Sequence, residues 1–270
     1  MNNHRKIEDF KKHRVLPLQK GYIYGPVKSR RLGSSLGLNL LPRNYKLCSF
    51  NCIYCQYGLN APQNPDLISA TFDDLPTVSD IKKALLAALA SLKEKIDYIT
   101  FSGNGEPTLH ANFPAIVEVV KDIRDRYAGR ARLAILSNST TINKPEVVKA
   151  LMKLDTPLMK LDAGSEKLFK KINRPAGGVD FNKIVEGLIE FKHPNLIIQA
   201  LIMGGPDLNA TDDNLEKWAY LLSKIKPIEV QIYSLDRPPA RPDIIKLSSK
   251  ELDDIASRVS ELSGIPVKAF

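Results

Sequence analysis

Three cysteines, Cys48, Cys52 and Cys55, are the only thiols of the 270-residue chain, and they fall within eight residues as Cys48-Ser49-Phe50-Asn51-Cys52-Ile53-Tyr54-Cys55. Thiolates are soft ligands suited to zinc or to iron–sulfur clusters. An odd count at such short spacing is not a disulfide framework. The amino terminus, MNNHRKIEDFKKHR, is charged where a signal peptide would be apolar, so metal binding or catalysis is the expected use. A structural zinc site is closed by four protein ligands. The fourth would have to be His4, His13, His110 or His193, none of which sits at a ligand-like spacing from the cysteines. A [4Fe–4S] cluster takes one cysteine per iron. Three cysteines leave one iron open, a place for a substrate or cofactor, as in catalytic rather than structural metal sites.

Positioning this motif falls to an alternation of short and long patterns. Apolar or β-branched runs at 36–41, 97–101, 131–136, 157–161, 196–202 and 228–233 predict strands, and helical patterns lie between them at 79–95, 113–128, 145–153, 165–172, 181–192 and 212–225. In 79–95, Ile81, Leu85, Ala88, Leu89, Leu92 and Ile96 form one apolar stripe, with Ser79 or Asp80 as the cap. Strands alternating with helices of this length imply βαβ units and a parallel α/β sheet, either open and doubly wound or partly closed into a barrel. The Pro-rich run Arg237–Pro242 predicts an extended crossing before a helix at 248–263 and a last short strand at 265–269.

Every predicted strand ends in a polar or Gly-rich tip. The first leads to the cysteines and the second to Ser102-Gly103-Asn104-Gly105-Glu106-Pro107. The others end in Ser137-Asn138-Ser139, Asp162-Ala163-Gly164, Met203-Gly204-Gly205-Pro206 and Ser234-Leu235-Asp236-Arg237. Parallel sheets and barrels build their sites along that edge. Taken singly, Gly103–Glu106 is a glycine turn whose acid caps a helix, and the third and fifth tips are ordinary turns. With cysteines on the first tip, the six together describe one site.

The C-x3-C-x2-C spacing, with Tyr54 just before the last cysteine, resembles the signature of the radical S-adenosylmethionine superfamily. The resemblance implies a partial (β/α)6, TIM-like barrel with its cluster loop after the first strand. It also implies a cluster whose open iron is chelated by S-adenosylmethionine. Reduction then gives methionine and a 5′-deoxyadenosyl radical that removes a hydrogen from the substrate. Gly103, Asn104, Gly105 and Glu106 are similar to the family's glycine-rich motif, which receives the methionyl ammonium. Ser137 and Asn138 resemble positions that contact the cofactor's carboxylate or ribose. Tyr54 and the Ile202-Met203-Gly204 element resemble groups near the adenine. The block Gly25–Gly37, Phe101–His110 and Asp236-Arg237-Pro238-Pro239 resemble a narrower subgroup related to wybutosine tRNA-modifying enzymes. The chain departs from those enzymes in having no cysteines for a second cluster, which counts against pyruvate condensation onto tRNA.

Residues 1–46 carry eleven Lys/Arg against two Asp/Glu, so they hold the whole net charge of +9 while the remainder balances. Such a segment either meets phosphate or is a solvated leader. The expected domains are a basic lead-in over 1–35, a barrel over 36–235 and a carboxyl-terminal extension over 236–270. Arg30 and Arg31 are candidates for a bidentate clamp on an anionic substrate, RNA or a small metabolite. Gln199, inside an apolar strand, either points into the barrel mouth or is a hydrogen-bonded core amide. Asp162 with Lys160 is read as a rim ion pair, with contact to ribose or substrate as the alternative. Tyr233 and Arg237 follow the last barrel strand, where substrate enters. No second redox centre is visible, so the electron donor is expected to be a separate flavodoxin or ferredoxin. No run approaches the ~20 apolar residues of a membrane span, and a cytoplasmic location is expected.

Overall fold

The computed structural model describes residues 16–58, 74–235 and 244–270. Eight strands form one sheet in sequence order. They are β1 (Ile23–Ser29), β2 (Gly33–Asn39), β3 (Tyr98–Ser102), β4 (Arg132–Ser137), β5 (Thr156–Lys160), β6 (Ile197–Leu201), β7 (Glu229–Tyr233) and β8 (Val267–Ala269). β1 is antiparallel to β2, and every later pairing is parallel. No pairing joins β8 back to β1 among the described residues, so the sheet is a partial barrel rather than a closed one. Helices α1 (Val78–Ser91), α2 (Phe113–Tyr127), α3 (Pro145–Leu151), α4 (Glu166–Asn173), α5 (Phe181–Glu190), α6 (Asp212–Ile225) and α7 (Ser249–Ser263) complete the crossovers.

The apolar stripes read from sequence are the buried faces. Ile81 and Leu85 of α1, and Phe113, Ile116, Val117, Val120 and Ile123 of α2, are buried in the main core. The cap of α1 lies before the predicted one. Thr77 closes a capping box with Asp80, each satisfying an amide that the first helical turn leaves unpaired. Trp218 of α6 is fully buried and donates its indole N–H to the Leu161 carbonyl at 3.0 Å, tying the crossover helix between β6 and β7 to the β5 tip.

One strand has no counterpart in the predicted set. Residues 23–29 fall in the stretch expected to be a basic lead-in, but they pair along β2 as an edge strand. The segment is broken by Gly25-Pro26, and its alternation is interrupted by an irregularity between Tyr24 and Val27. That irregularity is why period-two patterning misses it. The strand is anchored through Tyr24, whose hydroxyl pairs with Ser102 Oγ at 2.5 Å and whose ring lies over Gly37 of β2. A Cβ at Gly37 would sit 2.2 Å from that ring. Gly37→Ala is therefore expected to cost about 1–3 kcal/mol in urea unfolding through overpacking. The loss should shrink in a Tyr24→Ala background, where the clash is gone.

Candidate functional site

The loop after β2 lays its backbone against the β3 tip. Leu47 N–H donates to the Asn104 carbonyl at 2.9 Å, and Glu106 N–H donates to the Leu47 carbonyl at 3.0 Å. The pairing requires glycine at 105. Its φ is +145°, and a Cβ there would fall 1.7 Å from the Leu47 carbonyl oxygen. On its far side the loop is held by α4 and the residues after it. Asn51 and Ile53 donate to the carbonyls of Asn173 and Ile172, both at 2.9 Å, and Ala176 N–H donates to Ser49 at 2.9 Å.

Cys48, Cys52 and Cys55 all line one cavity of ≈ 500 Å³. Each sulfur accepts at least one N–H. Cys48 takes the Phe50 amide at 3.4 Å and Asn138 Nδ2 at 3.5 Å. Cys52 takes Asn173 Nδ2 at 3.4 Å, and Cys55 takes Lys46 Nζ at 3.4 Å. Burial, then the neighbouring Cys52, pushes the Cys48 thiol up to about 12. Burial, then Asp162, pushes Cys52 up to about 11. Among the described residues no three Cys, His, Asp or Glu side chains gather around a point as a single ion needs. The thiols instead ring a space with volume, and the donors aimed at them suit sulfurs that carry negative charge.

Glu106 stands beside the loop, buried. Its Oε1 accepts from Thr108 N–H at 3.1 Å, Thr108 Oγ1 at 2.6 Å and Ser137 Oγ at 2.9 Å, and its Oε2 accepts from Asn138 N–H at 2.5 Å. Burial raises its pKa, and the Asn138 and Thr108 donors oppose that. Each carboxylate oxygen offers about two lone-pair sites, and Oε2 meets a single donor, so it keeps capacity for one more.

Gly103, Gly105, Glu106, Ser137, Asn138, Tyr54, Gln199, Tyr233, Arg30 and Arg31 join the cysteines along the cavity wall. Three sequence candidates lie elsewhere. Asn104 is spent on the chain itself: Nδ2 donates to the Gln19 and Pro42 carbonyls at 3.0 and 2.8 Å, and Oδ1 accepts the Gln19 amide at 2.8 Å. Met203 is fully buried in the main core. Asp162 lies behind the wall as a buried organiser, not at the rim. Its Oδ1 accepts from Lys160 at 3.2 Å and Leu201 N–H at 2.9 Å, and its Oδ2 from Asn173 at 2.7 Å and from the Tyr54 hydroxyl. Burial opposes the Lys160 charge, but Asp162 and then Tyr233 hold its pKa above the ordinary value. Arg237 lies outside the described residues.

Sequence reasoning missed Lys46 and Asn173. Lys46 was legible as the cation two residues before the motif. Asn173 had no signal, because it reaches Cys52 from a helix end 121 residues downstream.

A partial parallel barrel with three thiols on its first crossover loop and a glycine tip pressed against that loop defines a cysteine-centred barrel of the α/β class. The chain belongs to the radical SAM superfamily, whose family pattern matches residues 45–253. A Brachyspira hyodysenteriae protein named GTPase Obg is 33% identical over 86% of this chain. The chain spans only 32% of that protein's length. A UPF0026 protein of Methanocaldococcus jannaschii is 32% identical over 89% of this chain and 72% of its own. Among solved structures, a radical SAM methyltransferase from Sphaerobacter thermophilus superposes with a TM-score of 0.65 at 13% identity, covering 100% of this chain and 82% of that one. TYW1 with a lysine–pyruvate adduct bound gives 0.56 at 15% identity, covering 97% and 90%. These likenesses establish the fold. No helix among the described residues is long and apolar enough to cross a membrane.

The Glu106 arrangement carries its own test. In Glu106→Gln one oxygen becomes an NH₂ donor facing donors already aimed at it. Stability should fall by about 1–3 kcal/mol, read as a lower urea midpoint at unchanged slope.

Proposed function

We propose that this protein is a radical S-adenosylmethionine enzyme that holds a [4Fe–4S] cluster on Cys48, Cys52 and Cys55. The observation that carries the reading is the single cavity in which three N–H-bonded thiols meet the glycine tip of β3 and the Ser137-Asn138 tip of β4. When bound, the cluster and cofactor supply one-electron cleavage of a sulfonium and, from it, removal of a hydrogen atom from substrate. The chain's residues do the positioning. Asn138, Asn173 and Lys46 offset charge on the three sulfurs. Gly103 and Gly105 bring bare backbone to the cavity, and the spare site on Glu106 Oε2 suits an ammonium. Ser137, Asn138 and the Tyr54 ring form the adjoining wall. The electron comes from a separate flavodoxin or ferredoxin.

Two substrate classes fit this chemistry. RNA is supported by the charge of residues 1–46 and by the subgroup resemblance; a small anionic metabolite is supported by the basic residues of the cavity. A non-catalytic iron–sulfur protein would use the same thiols without the cofactor.

Anaerobic reconstitution, dithionite reduction and addition of S-adenosylmethionine separate these classes. The expected outcome is a changed electron paramagnetic resonance signal of the reduced cluster, with release of 5′-deoxyadenosine. A cluster indifferent to the cofactor rejects the enzyme reading. Cys52→Ala is expected to lose most bound iron, and full iron retention rejects the ligand assignment.

A further inference from the structure

The barrel interior holds a charged feature apart from the thiols. The turn between β1 and β2 folds inward, where Leu32 packs with Ala134, Leu158 and Ile197. Beside it, Arg31 Nη1 donates to Gln199 Oε1 at 2.8 Å. The Arg31 guanidinium lies 4.5 Å from the centre of the Tyr233 ring, and Lys160 Nζ donates to the Tyr233 hydroxyl at 3.3 Å. Tyr233 thus has one cation on its face and another at its hydroxyl. All four residues line the cavity that holds the cysteines.

Among the described residues, the cationic side chains of this wall outnumber the acidic ones. Lys160 is paired with Asp162 at 3.2 Å. Arg31 has only neutral partners among the described residues, an amide and an aromatic ring. Among the described residues, Lys28, Arg30, Arg31, Lys46 and Lys160 line the cavity, and Glu106 is the one acidic side chain there, with its carboxylate held by four donors. A guanidinium stays charged in proteins, and a charge taken from bulk water is costly without a counter-charge. Arg31 spends one of its five side-chain donors and Lys160 two of its three on the partners named. The unspent N–H groups are the kind that bind oxyanions.

We propose that Arg31 and Lys160, on either side of Tyr233, receive an oxyanion of the substrate, a carboxylate or a phosphate, and that the substrate is a small molecule. This deepens the proposed function and rests on it for the word substrate. The cations lie inside the barrel rather than along a surface stripe that could follow a phosphate backbone. The cavity of ≈ 500 Å³ is within the range for one small-ligand pocket, about 300–1,000 Å³. A cavity of this size does not admit a folded nucleic acid.

The test is calorimetric titration of the anaerobically reconstituted protein with inorganic phosphate and, separately, succinate. Saturable binding of at least one probe is expected, weakened about tenfold or more in Arg31→Gln. Arg31→Lys should retain part of the affinity, which separates loss of charge from loss of fold. Lys217→Gln, on the exposed face of α6, should match the parent. Failure of both probes to bind, or equal affinity in the parent and Arg31→Gln, overturns the proposal. Binding restricted to bulk tRNA and indifferent to Arg31→Gln also overturns it and assigns the substrate to RNA. The result is independent of the cofactor assay. Arg31-dependent phosphate binding without S-adenosylmethionine cleavage keeps the subsite and rejects the proposed function; cleavage without oxyanion binding does the reverse.

Discussion

The site depends on a backbone contact that only a glycine permits. The Leu47 carbonyl occupies the space where a side chain at position 105 would begin, and this close approach lets the cysteine loop and the β3 tip share hydrogen bonds in both directions. Cys48 and Glu106 each adjoin that pairing. Glu106 then gathers Ser137 and Asn138 from the β4 tip, and the Asn138 side chain returns to Cys48. The loop, the second parallel strand and the third are therefore closed into one circuit, and displacing any member strands polar groups on the others.

A second circuit runs on the opposite side of the loop, and its hub is Asp162. Tyr54 from the cysteine loop, Asn173 from the end of α4, the Leu201 amide from β6 and Lys160 from β5 all donate to this carboxylate. Asn173 also reaches Cys52. Burying a carboxylate is costly unless its lone pairs are met, and here all of them are. The cost of burial is offset by fixing the Tyr54 ring and one cysteine in the same network. Asp162 organises the cavity wall without forming its surface, so a ribose contact is not how this side chain is spent.

How much of this was legible in the sequence follows from the range of each interaction. The parallel α/β order, the helix stripes and the polar tips are local patterns, and each predicted strand and helix has an observed counterpart, while the predicted crossing over 237–242 lies outside the described residues. The thiols announced themselves by type and spacing. Glu106 could be placed in the site, but not its partners. Asn104 was misleading because an asparagine between two glycines looks the same whether it faces a ligand or, as here, ties Gln19 and Pro42 to the β3 tip. Asn173 and the inward turn at Arg31 were invisible for one reason. Their contacts join residues more than a hundred positions apart, and no period or spacing encodes such a meeting.

That difference in legibility follows a division of labour in the fold. A parallel sheet delivers all its carboxyl-end tips to one edge, so the groups around the thiols come from consecutive crossovers and can be read in order. Arg31 comes instead from the turn that precedes β2, which lies at the sheet's other edge by chain direction, and it enters the interior beside Leu32. Its contacts are to β6 and β7, the strands farthest along the sheet from β2 before the last. The turn and the last barrel strands can thus vary in sequence without disturbing the circuit through Leu47, Gly105 and Glu106. Lys160 is where the two regions meet, because it donates both to Tyr233 and to Asp162, the hub that fixes Tyr54 beside the thiols.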